Sequence, residues 1–287
     1  ESQMDHVDAG SIRGLHGLLF VHWQAGHLTQ VESIARTVVD VASRHRLRLM
    51  AGWGHRFLGD VLYERNDLDG AIAQYATAAR DYEHFNLTGV REAYVGLALA
   101  HVAAGRTGEA WRALQRGREI LLEAGALEHL PALDAAEAYL AWRTGDVPRA
   151  ERWARASTYG VDDATLYIAV HPAFIRAVIL CSSDDPSQIT AAMTLLEALR
   201  QRAVSAHFTG PLVRIEALTA IAQVKQGDRD GGLATMRRSL ATGQPQGYLR
   251  TYLDLLPAFA TELSQLAASL DVPDDIRSAI TISSAST

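Results

Sequence analysis

Rings and charges recur at matched places along the chain. When successive segments about 40 residues long are laid over one another, Trp23, Tyr63, Val102 and Trp142 share one position. Phe20, Asp60, Leu99 and Tyr139 share a second, and His16, Arg56, Val95 and Ala135 a third. A fourth holds Arg13, Trp53, Glu92 and Arg214. Aromatic faces stack on sugars and apolar groups, and a nearby Arg or carboxylate fixes orientation, so this set could wall a binding groove. The competing reading is that the rings fill gaps between repeats, as aromatic stripes at helical spacing commonly do.

Other residue types give less. The 11 His are scattered, with no His-Glu-x-x-His and no Cys beside them, so no metal site is expected. Cys181 sits in an apolar run and reads as a buried small hydrophobe. Asp184-Asp185-Pro186 reads as a helix start rather than an acid pair, because adjacent turn residues rarely converge. No Gly-x-Ser-x-Gly and no Ser-x-x-Lys occurs. Without a nucleophile, base and orienting group together, no enzyme and no cofactor are expected.

Composition narrows the class. The 287 residues carry a formal charge of −6, and the basic residues are 26 Arg and one Lys, Lys225. A net acidic chain lacks the basic footprint of direct nucleic-acid binding. A single Cys makes no internal disulfide and favours a reducing compartment. The longest apolar stretch, 167–181, is interrupted by His171, Pro172 and Arg176, so no membrane span is expected. The first ten residues have no apolar stretch of the secretory type. A cytoplasmic location follows as the expectation.

The elements that must position these residues show themselves as a repeat. Short polar turns at Gly26, Asn66, Gly105, Gly145 and Gly227 each precede, five residues on, a small or aliphatic residue: Val31, Ala71, Ala110, Ala150 and Gly232. A less regular copy at Asp184–Pro186 leads to Ala192, and the intervals between these anchors are 40, 39, 40, 42 and 40 residues. A fixed period of this size signals stacked repeats. In the clearest copy Leu58, Leu62, Ala71, Tyr75 and Ala78 make apolar stripes at three- and four-residue steps on two helices, with Asp67 or Asp69 placed to cap the second. No strand-like alternation occurs, so the chain is expected to be all-α. The pattern is that of tetratricopeptide (TPR) repeats, in which the first helix of each pair lines a concave face. The expected architecture is a right-handed superhelical solenoid of about six TPR-like pairs, each about 40 residues long. The repeats fall at 11–45, 50–85, 90–125, 131–160, 170–205 and 211–243, within a domain of 1–270. A cap at 247–270 is split by Pro257 into helices of about 247–256 and 257–270, and 271–287 forms a short helix and tail.

The last third is more specific. Leu212–Leu218, Leu233–Met236, Ser239–Ala241 and Gln244–Asp254 together resemble the superhelical domain of the MalT-like, large ATP-binding LuxR-type transcription activators. The family's Pro-x-Gly-Tyr-x-Arg-x-Phe-x-Asp segment is matched by Pro245, Gly247, Tyr248, Arg250 and Asp254, with Tyr252 in place of Phe. Their expected role is structural: Tyr248 and Tyr252 pack the cap, and Arg250 pairs with Asp254 one helical turn on. The resemblance implies a sensor of a small-molecule or protein effector, taking part in self-association beside an ATPase and a DNA-binding domain. Neither neighbouring activity is expected of these residues, because the lone Lys is followed by Gln226, so no P-loop can be read, and no helix-turn-helix text follows Asp254. The rival expectation is a stand-alone TPR scaffold for a peptide or partner protein.

Overall fold

The computed structural model describes residues 9–83, 85–162 and 171–284, and every regular element among them is helical. Six antiparallel pairs follow one another. They are α1 (Ala9–Gln24) with α2 (Leu28–Arg44), α3 (Arg48–Glu64) with α4 (Leu68–Tyr82), and α5 (Leu87–Ala103) with α6 (Thr107–Glu123). Then come α7 (Leu130–Arg143) with α8 (Val147–Ala156), α9 (Pro172–Cys181) with α10 (Pro186–Ser205), and α11 (Thr209–Lys225) with α12 (Arg229–Gly243). Three further helices close the chain: α13 (Arg250–Leu253), α14 (Leu256–Ala267) and α15 (Asp274–Ser284). The arrangement is all-α and TPR-like.

The repeating anchors show why the pairs form. Val31, Ala71, Ala110 and Ala150 are wholly buried and Gly232 is buried with them, each the fourth residue of its helix. Their N–H groups donate to the carbonyls of His27, Asp67, Arg106, Asp146 and Asp228, closing the first helical turn. Three of those residues also cap with a side chain: Asp67 accepts from the Gly70 N–H, Asp146 from that of Arg149 and Asp228 from that of Gly231. The turn before each cap needs a left-handed residue. Gly26, Gly105, Gly145 and Gly227 supply it, and Asn66 does so at φ 65°, the non-glycine type that tolerates the conformation best. Asp185 caps α10 through the Ser187 N–H, which makes the Asp-Asp-Pro run a helix start.

The cap differs from the expected division. Gly247 is left-handed at φ 83° after a single 3-10 turn at Gln244–Gln246, so no helix runs from 247 to 256. Only the four residues of α13 form there, and Pro257 lies in the first turn of α14.

The helices gather into two compact units, Glu1–Tyr63 with Asp67–Asp134, and Glu64–Asn66 with Ala135–Thr287. Among the described residues no helix is long and apolar enough to cross a membrane.

In the first unit a heptad register sets the spacing between helices. Tyr75 and Tyr82 stand seven residues apart on α4, as do Gly52 and Gly59 on α3 and Gly89 and Gly96 on α5. A Cβ on Gly59 would lie 2.8 Å from the Tyr75 ring, and one on Gly96 would overlap it. Cβ atoms on Gly52 and Gly89 would come within 2.8 and 2.6 Å of the Tyr82 ring. Each ring is thus clamped between two glycine backbones.

Candidate functional site

Beneath these clamps lies a buried cluster of charge. Arg56 is 1% exposed, and its Nε lies 3.1 Å from an Asp60 oxygen and 3.4 Å from a Glu92 oxygen. Asp60 accepts a hydrogen bond from the Tyr75 hydroxyl at 2.7 Å. Arg91 donates to Glu92 at 3.1 Å and lies 3.3 Å from His129 Nδ1. Burial alone would drive the Arg56 guanidinium towards neutrality. The facing carboxylates of Asp60 and Glu92 more than reverse this and hold it charged. The Tyr82 hydroxyl is also buried and has no hydrogen-bond partner among the described residues. Burial pushes the Tyr75 and Tyr82 hydroxyls well above the ordinary phenol range, so both stay protonated.

A sheet of rings covers this cluster. His16 lies 5.0 Å from Phe20 and 4.5 Å from Trp53, and Phe20 lies 5.4 Å from Trp53 and 5.0 Å edge-on from Phe57. Trp53 continues to Tyr82 at 5.6 Å, and Trp23 touches the Phe57 side at 6.2 Å. The Arg56 guanidinium carbon sits 4.4 Å from the Phe57 ring centre, a cation–π contact that joins the two layers. His16, Phe20, Trp23 and Trp53 are half-buried, whereas Arg56, Asp60, Tyr63 and Glu92 are buried. Burial, with Arg56 nearby, lowers the His16 pKa, leaving it neutral at pH 7. Of the residues singled out in the sequence, the structure therefore brings His16, Phe20, Trp23, Trp53, Arg56, Asp60 and Glu92 together, rings outside and charges inside. The Arg13 side chain lies outside the described residues.

Tyr63 is buried elsewhere in the first unit, and Tyr139, Trp142 and Arg214 belong to the second. Tyr139 and Trp142 are buried with ring centres 5.4 Å apart, and Trp142 donates to the Ser182 hydroxyl at 3.1 Å. Arg214 pairs with Glu64, whose other oxygen accepts from the Thr251 N–H at 3.1 Å and the Thr251 hydroxyl at 3.0 Å. Arg250 pairs with Asp254 within its own helical turn, and Arg143 reaches the same carboxylate at 2.8 Å. Tyr248 is buried, and Tyr252 shares a 3.0 Å hydrogen bond with Ser239. The segment that carries the family resemblance is built into the packing of its unit.

Sequence reasoning passed over Phe57, Arg91, Arg143 and Tyr82, and read Tyr75 only as part of an apolar stripe. The seven-residue echo of Gly and Tyr on three successive helices is the signal that would have found the clamps. It also passed over a cleft of about 500 Å³ lined by Asp184, Pro186, Ile189, Thr190, Lys225 and Gln226. The Lys225 ammonium there is bound to the carbonyls of Cys181 at 3.0 Å and Ser183 at 2.9 Å, so it acts first as a strut.

No group of three or more metal-ligating side chains converges among the described residues. Cys181 is buried and its thiol is pushed up to about 12 by that burial, which removes thiolate chemistry at neutral pH. A thiol reagent at pH 8 is expected to label it only after denaturant is added. Stoichiometric labelling of the native chain would place it at the surface.

The comparisons with known proteins agree with the helix-pair repeat. The profile of the MalT-like TPR region matches residues 2–269, taking in all six pairs, α13 and α14. The search of curated proteins returned no match. With nearly the whole chain covered, from the ring layer of α1 and α3 to the buried Tyr248–Asp254 segment, this protein belongs to the MalT-like TPR region family.

Proposed function

We propose that this chain is the effector-sensing and protein-interaction region of a MalT-like transcriptional regulator, and that an effector makes contact at the ring layer of the first unit. Membership of the family makes it a regulatory TPR-like region, of a kind that mediates interactions. The observation that supports a located site is the layering. Half-buried His16, Phe20, Trp23 and Trp53 offer ring faces, and the buried Arg56–Asp60–Glu92 cluster meets the layer where Arg56 stacks on Phe57. Rings of this kind suit a sugar, a planar heterocycle or an apolar side chain of a protein effector. An effector seated there favours one arrangement of the helix pairs, and that preference is passed to self-association and to the ATPase and DNA-binding domains of a parent regulator.

The test is a thermal-shift screen of sugars, nucleotides, amino acids and short peptides. A ligand at about 100 times its dissociation constant adds about 2.7 kcal/mol of apparent stability. A selective rise in melting temperature that disappears in Trp53→Ala is the expected result. A rise retained in Trp53→Ala and in Phe20→Ala would place the effector elsewhere.

A further inference from the structure

The end of the chain holds a contact of a different kind. α12, α13 and α14 present an apolar seat of Met236, Leu240, Tyr252, Leu263 and Leu266, and α15 lies on it. The incoming segment uses Val272, just ahead of the helix, and Ile276 and Ile280, one turn apart on α15, which are 7%, 3% and 7% exposed. The space left between seat and segment is about 10 Å³, about the room one water needs. The polar contacts of Arg277 do not tie α15 to the seat. Its N–H donates to Pro273 at 2.9 Å and its guanidinium to the Leu270 carbonyl at 3.4 Å, both within the approach to α15. The first bond travels with the helix, and the second, which spans the hinge, is given up when the hinge extends. The approach, residues 268–273, is not helical and contains Pro273. The family match stops at 269, so the seat lies inside the matched region and the helix that fills it lies outside.

We propose that this seat is a helix-docking surface, filled in cis by α15 and open to the α15 of a second copy by reciprocal exchange. Three physical points carry this. The side chains of the segment that meet the seat are apolar, and an identical segment brings the same ones. An 11-residue helix is marginal alone in water, so α15 is ordered chiefly by the seat and detaches as a unit. The hinge is long enough to redirect it, since six extended residues reach about 20 Å. A second copy brings a segment of proven complementarity, and reciprocal exchange satisfies both seats at once.

The experiment uses the full chain, wild type and Ile276→Asp/Ile280→Asp, with a fluorescent peptide of residues 270–287. The double variant keeps the seat but loses the hold of its own α15. It is expected to bind the peptide at least tenfold more tightly than wild type, whose own helix competes. Wild type concentrated and gently warmed is expected to yield a dimer by light scattering, absent in the double variant. Peptide binding to neither chain, or a wild type that stays monomeric throughout, would overturn the proposal. Should the double variant lose its helical circular dichroism, hydrogen exchange on wild type decides. Amides of 274–284 exchanging at least tenfold faster than those of α12 and α14 support a detachable helix, and equal protection contradicts it.

Discussion

Arg56→Ala is expected to lower the stability of the first unit by about 3–5 kcal/mol, because it leaves Asp60 and Glu92 buried without their shared cation. At about 2–4 °C per kcal/mol for a protein this size, the melting temperature should fall by roughly 10 °C. The comparison that isolates the cause is Arg36→Ala. Arg36 pairs with Glu32 at 2.7 Å, but its side chain is 63% exposed, and exposed pairs contribute about 0–1 kcal/mol. Replacing the triad together, as Arg56→Met with Asp60→Leu and Glu92→Met, removes the stranded charge and should recover much of the loss. If Arg56→Ala melted within a degree of wild type, the charge cluster would not be holding the ring layer in place.

The second large effect turns on sign. A glycine within a helix normally gains about 1 kcal/mol on becoming alanine, and Gly17, with nothing within 4 Å of its would-be Cβ, should behave so. Gly96→Ala should do the reverse. Its methyl would occupy the space of the Tyr75 ring, which is 2% exposed and fixed by the hydroxyl bond to Asp60. Overpacking of this kind costs about 1–3 kcal/mol, with the upper end expected where the ring cannot turn aside. Tyr75→Leu in the same chain should relieve part of the cost. Equal melting shifts for Gly17→Ala and Gly96→Ala would show that the ring is not clamped.

Much of the fold could be read before the structure was known, and the reason is local. A left-handed turn residue, a cap and a small anchor must recur together wherever two helices turn tightly, and Gly145, Asp146 and Ala150 display the set openly. The all-α, TPR-like arrangement and the family resemblance rest on such signals. The site was legible only in part. Repeat alignment put Trp53 and Glu92 at one position and His16 and Arg56 at another, and these are neighbours in space. Alignment says nothing of depth, however. It treated Arg56 and Trp53 alike, whereas Arg56 is enclosed by α4 and α5 partners and Trp53 lies over it, half-buried. Depth depends on which side chains arrive from other helices. Tyr75 and Tyr82 reach the cluster because glycines on both flanking helices let α4 approach. The cap was misjudged for a related reason: an apolar pattern across 247–256 gave no weight to Gly247, whose left-handed conformation stops a helix there.

The proposed effector contact is tested most directly by a crystal structure of the chain with the strongest ligand from the thermal screen. The account predicts ligand density against the faces of Trp53 and Phe20, with Arg56 still paired to Asp60 and Glu92 beneath. Density confined to another surface, with the ring layer empty, would contradict it.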